Sequence, residues 1–407
     1  MTVGNKKYHE LFIERVKMLS LRTEELYIYG AGFYGKDIFR ILHKEGVHLD
    51  GFLVTESKFE SVLFELPVFP AKQKMRNGIG YIIAMTPIYA KEVYDYLTNN
   101  GIDDSMIAVY EAYNANGSGR GNYAEKEILE VTATVGCKVN CRYCPQEVLI
   151  NKYFKADSHR IRYMEPETLK NILLHISEDS VIMFAGFGEP FLNPHCLELV
   201  KIACECGNHP VHFFTTLEGA TVDDVYSLTT LPIELCTLHL ADSKGYAKIS
   251  KNEEYYKKLE IILNARKTDG SLFVDYINAQ TEPDNRAYEM CKDNFEVMVS
   301  VHDRAGNISA GGAEHVKVNL KCGDAIECQC VGKMLNSNVV LPDGTLVLCN
   351  SDYGMKHVLG NLVVESMETI RKGKAFQEIK SAMLGKSNMD LLCYKCTNAR
   401  KVNNKMF

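Results

Sequence analysis

The sequence predicts an α/β protein whose central domain is a partial parallel barrel of six β/α units. Six apolar runs rich in β-branched residues lie between residues 128 and 301, and a helix-like stretch separates each run from the next. The stretch at 114–122 has the small, polar composition of a linker. A chain of 407 residues exceeds the length of one ordinary core. We therefore expect an α/β domain with its linker at 1–122, the barrel at 123–318 and a small cysteine-rich domain at 319–407.

The first domain alternates short apolar runs with helical patterns, which is typical of parallel α/β folds. Strands are predicted at 26–29, 49–54 and 81–84, each followed by a helix, and the first helix is predicted at 36–44. The turn Gly30-Ala31-Gly32-Phe33-Tyr34-Gly35 joins the first strand to this helix. Because the free N–H groups of a helix N-terminus can bind phosphate, Gly30, Gly32 and Gly35 are candidate nucleotide-binding residues.

A dinucleotide site of this kind also needs an acidic residue for the ribose, about twenty residues further along the chain. Asp50 and Glu56 lie in that region. A glycine loop that binds no ligand is the alternative interpretation.

The six barrel strands are predicted at 128–135, 181–184, 211–215, 234–240, 272–278 and 295–301. In parallel α/β folds, the loops that follow the carboxyl ends of the strands carry the chemistry. Four polar residues near these ends are therefore candidate substrate contacts: His239, Asp242, Asn278 and His302. A core or surface role is the alternative for each of them.

Three cysteines follow the first barrel strand in a C-x3-C-x2-C loop: Cys137, Cys141 and Cys144. Thiolates are ligands of both iron–sulfur clusters and zinc. A structural zinc site closes with four ligands, whereas three cysteines can hold three corners of a [4Fe-4S] cubane and leave one iron open for a substrate or cofactor. A zinc site and a non-catalytic iron–sulfur loop are the alternatives.

This loop resembles the signature of the radical S-adenosylmethionine (SAM) superfamily, in which an aromatic residue, here Tyr143, precedes the last cysteine. The resemblance implies that SAM binds the open iron of a [4Fe-4S] cluster and that Tyr143 lies near the adenine. Gly186-Phe187-Gly188-Glu189-Pro190 is similar to the GGEP motif of the family, which contacts the SAM amino group, although Phe187 stands where glycine is usual. Thr215 and Thr216 lie where family members often have T-N-G, and the resemblance implies that they line the ribose.

The last segment carries a C-x13-G-x4-C pattern from Cys330 to Cys349 and a later C-x2-C pair, Cys393 and Cys396. This arrangement resembles the opening of the SPASM extension of radical SAM enzymes. Because no cysteine follows Cys396, the shorter twitch domain fits better, and it implies one auxiliary [4Fe-4S] cluster on these four cysteines. A zinc knuckle on the same cysteines is the alternative.

Two further cysteines, Cys322 and Cys328, lie close enough in sequence to replace Cys330 as a ligand. The same segment predicts a hairpin with strands at 339–341 and 345–348, followed by a helix at 366–383. The resemblance implies that the last segment is a small, cysteine-rich domain of the twitch or SPASM type.

The first domain resembles the Rossmann-like N-terminal domains of bacterial sugar acyltransferases and capsule-synthesis proteins, including the Leu66-Pro67-Val68 element. Some of these domains hold a nucleotide sugar. The resemblance therefore favours a carbohydrate or nucleotide-linked sugar as the small-molecule substrate. Peptide modification is the second interpretation, and a metal-stabilised nucleotide-sugar-binding protein is the non-enzymatic one.

The radical SAM resemblance implies reductive cleavage of SAM to a 5′-deoxyadenosyl radical, which removes a hydrogen atom from the substrate. With an auxiliary cluster as electron acceptor the outcome is oxidation, and with hydrogen return from a thiol it is epimerisation. We expect oxidation. A flavodoxin or ferredoxin is the expected electron donor.

The formal net charge of −6 gives no field that would attract nucleic acid or an anionic membrane. The N-terminus lacks the apolar core of a secretory signal, and no apolar run approaches the roughly 18 residues of a membrane span. We therefore expect a cytoplasmic protein with no nucleic-acid or membrane partner. Cytosolic thiols stay reduced, so at least some of the 14 cysteines indicate metal sites or catalysis rather than disulfides.

Overall fold

A computed structural model describes residues 3–31, 33–55, 62–85, 87–111, 127–156, 160–295, 297–299, 304–308, 320–328 and 335–402. The chain divides into two compact units, Met1–Ala124 and Glu125–Phe407. The predicted boundaries of the three domains stay predictions. In the described part of the chain, none of the helices has the length and apolar character needed to cross a membrane.

The first unit is a six-stranded sheet with the order β3-β4-β2-β1-β5-β6. Five strands are parallel, and only β3 runs antiparallel to its neighbour. Apolar residues pack on both faces of the sheet in two separate clusters. The strands are β1 Glu25–Tyr29, β2 Gly51–Val54, β3 Val62–Leu63, β4 Leu66–Pro70, β5 Ile79–Met85 and β6 Ile107–Glu111, and the helices are α1 Val3–Ser20, α2 Phe33–Lys44 and α3 Pro87–Asn99.

One expectation for the first unit is wrong. The second strand is followed in the described residues by the β3–β4 hairpin and a short 3₁₀ helix, Ala71–Lys74, instead of an α-helix. Pro67 and Pro70 account for this difference, because proline is excluded from helix interiors. Asp50 lies at the amino edge of the sheet, where its carboxylate accepts a hydrogen bond from the Leu26 N–H at 2.8 Å. It is therefore remote from the glycine loop, which follows the carboxyl end of β1, and Glu56 lies outside the described residues.

The second unit contains the predicted partial barrel. Its six strands are parallel and adjacent in chain order, from β7 to β12. They are β7 Ile128–Val131, β8 Val181–Phe184, β9 Val211–Thr215, β10 Leu235–His239, β11 Tyr276–Ala279 and β12 Val297–Val299. The helices that connect them are α4 Gln146–Ala156, α5 Pro166–Leu173, α6 Cys196–Glu205, α7 Val222–Thr229, α8 Glu253–Asn264 and α9 Asn285–Cys291.

Successive side chains of the barrel strands point to opposite faces of the sheet and so lie in two different environments, as strand geometry requires. One set joins the apolar cluster that also contains the helix residues: Leu129, Val131, Ile182, Phe184, Val211, Phe213, Cys236 and Leu238. The other set faces the interior of the barrel and includes polar residues: Glu130, His212, Thr237, His239 and Asn278. The barrel interior is thus lined in part by polar side chains.

The C-terminal strands extend the same sheet. Strand β14 Ser337–Val340 pairs in parallel with β7, and β15 Thr345–Val347 and β16 Val358–Asn361 follow it in antiparallel order. A separate two-stranded sheet joins β13 Ile326–Cys328 to β17 Ala399–Lys401. The helix expected at 366–383 is two helices, α10 Met367–Lys372 and α11 Lys374–Met383. They separate at Gly373, whose backbone is extended and cannot continue a helix.

Candidate functional site

The cysteine loop begins just beyond β7, at the carboxyl end of the barrel. Cys137, Cys141 and Cys144 are all partly buried in this loop. Burial, together with the charge of neighbouring thiolates, raises the pKa of Cys137 to about 11 and that of Cys141 to about 12. Such thiols become thiolates when a bound metal compensates the charge. The loop therefore has the chemistry of a metal-thiolate site.

Within the residues that the structure describes, no three His, Cys, Asp or Glu side chains converge closely enough to hold one metal ion. The three thiols are nevertheless neighbours, because the charges of Cys137 and Cys144 act on Cys141. A cubane binds each thiolate through a different iron, whereas a single zinc ion binds all of its ligands directly.

The sulfur of Cys144 lies among hydrogen-bond donors. The Gln146 side-chain amide donates to this sulfur at 3.2 Å, and the Tyr353 hydroxyl lies 3.1 Å from it. Gln146 also donates to the carbonyl of Phe187. Neither Gln146 nor Tyr353 belongs to the motifs that the sequence analysis identified, and no sequence signal near the cysteines points to Tyr353.

The segment Gly186–Pro190 packs directly on the residues that follow β7. The Phe187 N–H donates to the Thr132 hydroxyl at 3.1 Å. A side chain at Gly186 would place its Cβ 2.3 Å from the Thr132 hydroxyl oxygen, and one at Gly188 would lie 2.7 Å from the Thr134 carbonyl oxygen. Both positions therefore require glycine. The structure brings this segment beside the cysteine loop, since the Glu189 N–H donates to Cys137.

Glu189 is a buried carboxylate that accepts hydrogen bonds at both oxygens. Oε1 accepts from the Thr215 hydroxyl at 2.7 Å and from the Phe191 N–H at 3.2 Å. Oε2 accepts from the Thr216 N–H at 2.6 Å and the Thr216 hydroxyl at 2.7 Å. Burial raises the pKa of Glu189 above its ordinary value, and the hydrogen bonds from these donors offset only part of that rise. The predicted cofactor residues Glu189, Thr215 and Thr216 therefore form one hydrogen-bonded group.

Lys258 of α8 holds the turn that follows Thr216. Its buried ammonium donates to the carbonyls of Leu217 at 3.1 Å and Ala220 at 2.9 Å. No sequence pattern identifies Lys258, because a lysine in an amphipathic helix is usually a solvent-exposed residue.

The site has features that fit a polar ligand. The Thr134 hydroxyl and the Gln146 side-chain oxygen are buried, and neither has a hydrogen-bond partner. Buried polar atoms are nearly always paired, so such atoms beside a cysteine loop are typical of a ligand site. Tyr143 is buried beside Tyr246, with ring centroids 5.8 Å apart in an edge-on arrangement. The residues present therefore fit a cluster with an organic cofactor beside it.

The predicted substrate contacts have different environments. His239 and Asn278 are register partners on β10 and β11. Burial lowers the pKa of His239 to about 4, so the imidazole is neutral. The carboxylate of Asp242 instead accepts from the N–H groups of Tyr246 at 2.9 Å and Ala247 at 2.8 Å, within its own loop. His302 lies outside the described residues.

Two side-chain amides occupy the end of β11. The side-chain oxygens of Asn278 and Gln280 are buried and have no hydrogen-bond partner. Gln280 also donates a hydrogen bond to Cys141, which lowers the pKa of that thiol, and the charge of Arg304 acts in the same direction. The barrel interior therefore presents unpaired acceptors and a cationic side chain next to the cysteine loop. Gln280 and Arg304 were not among the predicted residues.

The C-terminal cysteines are mostly buried. Cys349, Cys393 and Cys396 are buried, and Cys330 lies outside the described residues. Cys328 is also buried, on β13 opposite Ala399. Cys322 is exposed, and its sulfur lies 3.0 Å from the Asn388 carbonyl oxygen. The ligand set stays a prediction, with Cys328 in a more protected position than Cys322.

In the first unit, the predicted nucleotide-binding glycines have a packing explanation. A Cβ at Gly30 would lie 2.6 Å from the Ala84 carbonyl oxygen, and one at Gly35 would lie 1.8 Å from the Gly30 carbonyl oxygen. Gly32 lies outside the described residues. Nucleotide binding by this loop stays a prediction.

Comparisons with known proteins match two parts of the chain. The family model described as the radical SAM superfamily matches residues 131–284, and the iron-sulfur cluster-binding domain called SPASM matches 328–397. A comparison with curated proteins gave no match.

Similar solved structures include BtrN in complex with AdoMet and 2-DOIA, with 17% identity over 68% of this chain and 94% of that chain and a TM-score of 0.43. Native anSMEcpe with bound AdoMet and Cp18Cys peptide has 16% identity over 66% of this chain and 85% of that chain, with a TM-score of 0.40. Streptococcus suis SuiB bound to precursor peptide SuiA has 12% identity over 72% of this chain and 76% of that chain, with a TM-score of 0.42. The two family models identify a radical SAM domain at residues 131–284 and a C-terminal SPASM- or twitch-type domain at 328–397 of this chain, a combination that implies a SAM-binding [4Fe-4S] cluster and an auxiliary iron–sulfur cluster.

Proposed function

We propose that this radical SAM enzyme oxidises a carbohydrate or a nucleotide-linked sugar inside its barrel. The observation that carries the proposal is the pair of unpaired amide oxygens on Asn278 and Gln280 at the end of β11, where Gln280 also donates a hydrogen bond to Cys141. When bound, the first cluster and SAM supply a radical that removes hydrogen, and the auxiliary cluster supplies a one-electron acceptor. Every other contribution comes from the side chains that bind and orient the reactants.

Cys137, Cys141 and Cys144 are the proposed ligands of the SAM-binding cluster. The Glu189 carboxylate is the proposed partner of the SAM amino group, and its position is fixed by Thr215 and Thr216. The unpaired oxygens of Thr134 and Gln146 are further acceptors for polar groups of the cofactor. Tyr143 offers a buried aromatic ring for the adenine.

The polarity of the barrel interior supports a hydroxyl-rich substrate. A sugar hydroxyl donates a hydrogen bond, and the side-chain oxygens of Asn278 and Gln280 can accept one each. A substrate without such donors leaves both oxygens buried and unpaired, which costs about 1–3 kcal/mol per group. His239, whose ring lies 6.3 Å from that of Phe214, adds a neutral polar group to the same interior.

The C-terminal cysteines support oxidation over epimerisation. Cys330, Cys349, Cys393 and Cys396 are the proposed ligands of the auxiliary cluster. Four thiolates occupy every iron of a cubane, so such a cluster has no free position for the substrate and is suited to electron transfer. We also propose a flavodoxin or ferredoxin as electron donor, and the cytoplasm as a compartment that keeps these thiols reduced.

The test uses the anaerobically reconstituted full-length enzyme with SAM and dithionite. A set of nucleotide-linked hexoses deuterated at the ring carbons is compared with a set of deuterated peptides. We expect deuterium to appear in 5′-deoxyadenosine only with a sugar, together with a product lighter by two hydrogen atoms. Deuterium transfer from peptides alone contradicts the proposed substrate class and favours peptide modification.

Variants that alter the acceptors sharpen this test. Asn278→Leu and Gln280→Leu remove the proposed hydroxyl acceptors, and Asn264→Leu provides a control, because its side-chain amide donates to the Glu260 carbonyl within α8. We expect the first two variants to raise the KM for the sugar and the control to leave it unchanged.

A further inference from the structure

A tyrosine from the C-terminal segment reaches the cysteine loop. Tyr353 lies four residues after Cys349 and is only 1% exposed. Its hydroxyl oxygen is 3.1 Å from the sulfur of Cys144, across 209 residues of sequence. Its ring packs against Phe187, with the ring centroids 4.5 Å apart. Phe187 is the residue that departs from the glycine usual in the family motif, so this departure provides the surface on which Tyr353 packs.

The direction of the contact with Cys144 follows from the chemistry of a ligand. A cysteine that binds iron is a thiolate, and a thiolate has no proton to donate. The Tyr353 hydroxyl is therefore the donor. The side-chain amide of Gln146 is a second donor to the same sulfur, at 3.2 Å.

A tyrosine hydroxyl has an ordinary pKa of about 10, so it carries a proton to donate at neutral pH. The guanidinium of Arg304 lies 5.9 Å from the centroid of the ring. A cation at this position draws electron density from the ring, which makes the hydroxyl a stronger hydrogen-bond donor.

We propose that Tyr353 raises the reduction potential of the SAM-binding cluster by donating a hydrogen bond to its Cys144 ligand. The inference rests on the proposed ligation by Cys137, Cys141 and Cys144. Reduction adds one negative charge to a cluster, and a donor to a ligand sulfur stabilises the more negative state. Tyr353 is thus a positioning residue through which the C-terminal segment adjusts how easily the first cluster accepts its electron.

The test is an anaerobic redox titration of the reconstituted full-length enzyme without SAM, followed by the EPR signal of the reduced first cluster. Tyr353→Phe keeps the ring that packs on Phe187 and removes only the donor. We expect the reduction equilibrium constant to fall about tenfold, which equals a potential about 59 mV more negative for one electron. Replacement of Tyr353 by 3-fluorotyrosine, whose hydroxyl is a stronger donor, is expected to shift the potential in the opposite direction.

Tyr153→Phe is the matched control. Tyr153 is buried in the same apolar cluster as Phe187 and Tyr353, but its hydroxyl donates to the Ile161 carbonyl at 2.9 Å. This variant is expected to leave the potential unchanged. An unchanged potential in Tyr353→Phe at full iron content overturns the inference, and so does an equal shift in Tyr153→Phe. A different result contradicts the proposed ligation by Cys137, Cys141 and Cys144, namely that the wild-type chain binds its first cluster without needing Cys144.

Discussion

Glu189→Gln changes one atom of the proposed SAM site, and the structure predicts a loss of stability from that change alone. Every polar group around the wild-type carboxylate is a donor: Oε1 faces the N–H of Phe191, and Oε2 faces the N–H of Thr216. An amide has one oxygen and one NH₂ group. In either orientation of the amide, its NH₂ group therefore points at one backbone N–H, which cannot rotate away.

The magnitude follows from the backbone N–H that loses its acceptor. A buried donor without a partner costs about 1–3 kcal/mol of folding free energy. For a domain of roughly 150–250 residues, each kcal/mol corresponds to about 2–4 °C of melting temperature. We expect Glu189→Gln to lower the melting temperature of the full chain by at least about 2 °C.

The measurement is thermal unfolding of the full chain without added SAM, so that altered affinity for the cofactor does not contribute. Glu178→Gln is the control, because Glu178 is exposed on the surface of the same unit. Its expected effect is within about 0.5 kcal/mol. Equal melting temperatures for the two variants would refute the reasoning.

Three more changes have defined outcomes. The Nε2 of His357 accepts a hydrogen bond from the Leu392 N–H. Burial lowers the pKa of His357 to about 4 in the folded chain. The imidazole is therefore neutral in the folded chain at pH 5, whereas in the unfolded chain it becomes protonated below about pH 6.5. Stability should therefore fall from pH 6.5 towards pH 4, by about 2 kcal/mol at pH 5, and His357→Gln should flatten that slope in urea unfolding. Asn278→Leu removes an unpaired buried acceptor, so it should raise the stability of the substrate-free chain by about 1 kcal/mol while raising the KM for the sugar; a destabilised variant contradicts this. Cys396→Ala should lower the iron content of the reconstituted chain by about four atoms and leave SAM cleavage to 5′-deoxyadenosine measurable; a full iron content contradicts the auxiliary ligand set.

The barrel could be predicted because its strands carry a strong local signal. The runs at 181–184 and 211–215 match β8 and β9 at both ends. The predicted run at 128–135 is longer than β7, which ends at Val131. The residues beyond Val131 are apolar or β-branched as in a strand, but they pack against the Gly186 segment and form no regular ladder. Hydropathy therefore identifies the strand but does not determine where its hydrogen bonding stops.

The site residues that the sequence did not predict contact partners that are far from them along the chain. Tyr353 meets Cys144 across 209 residues, and Lys258 bonds Leu217 across 41. Neither residue lies in a motif with fixed spacing, so no local pattern contains these contacts. Asp242 is a local case: its carboxylate accepts hydrogen bonds from the N–H groups of Tyr246 and Ala247 in its own loop, and its contact with substrate stays a prediction.

The central claim is that three cysteines of one loop hold a cluster that cleaves SAM. The most direct measurement compares the wild-type chain with the Cys137→Ala, Cys141→Ala, Cys144→Ala triple variant after anaerobic reconstitution, by iron content and by dithionite-dependent 5′-deoxyadenosine. We predict about eight irons and 5′-deoxyadenosine for the wild type, and about four irons and no 5′-deoxyadenosine for the variant. Equal iron contents in the two proteins, or zinc in place of iron in the wild type, contradict the claim.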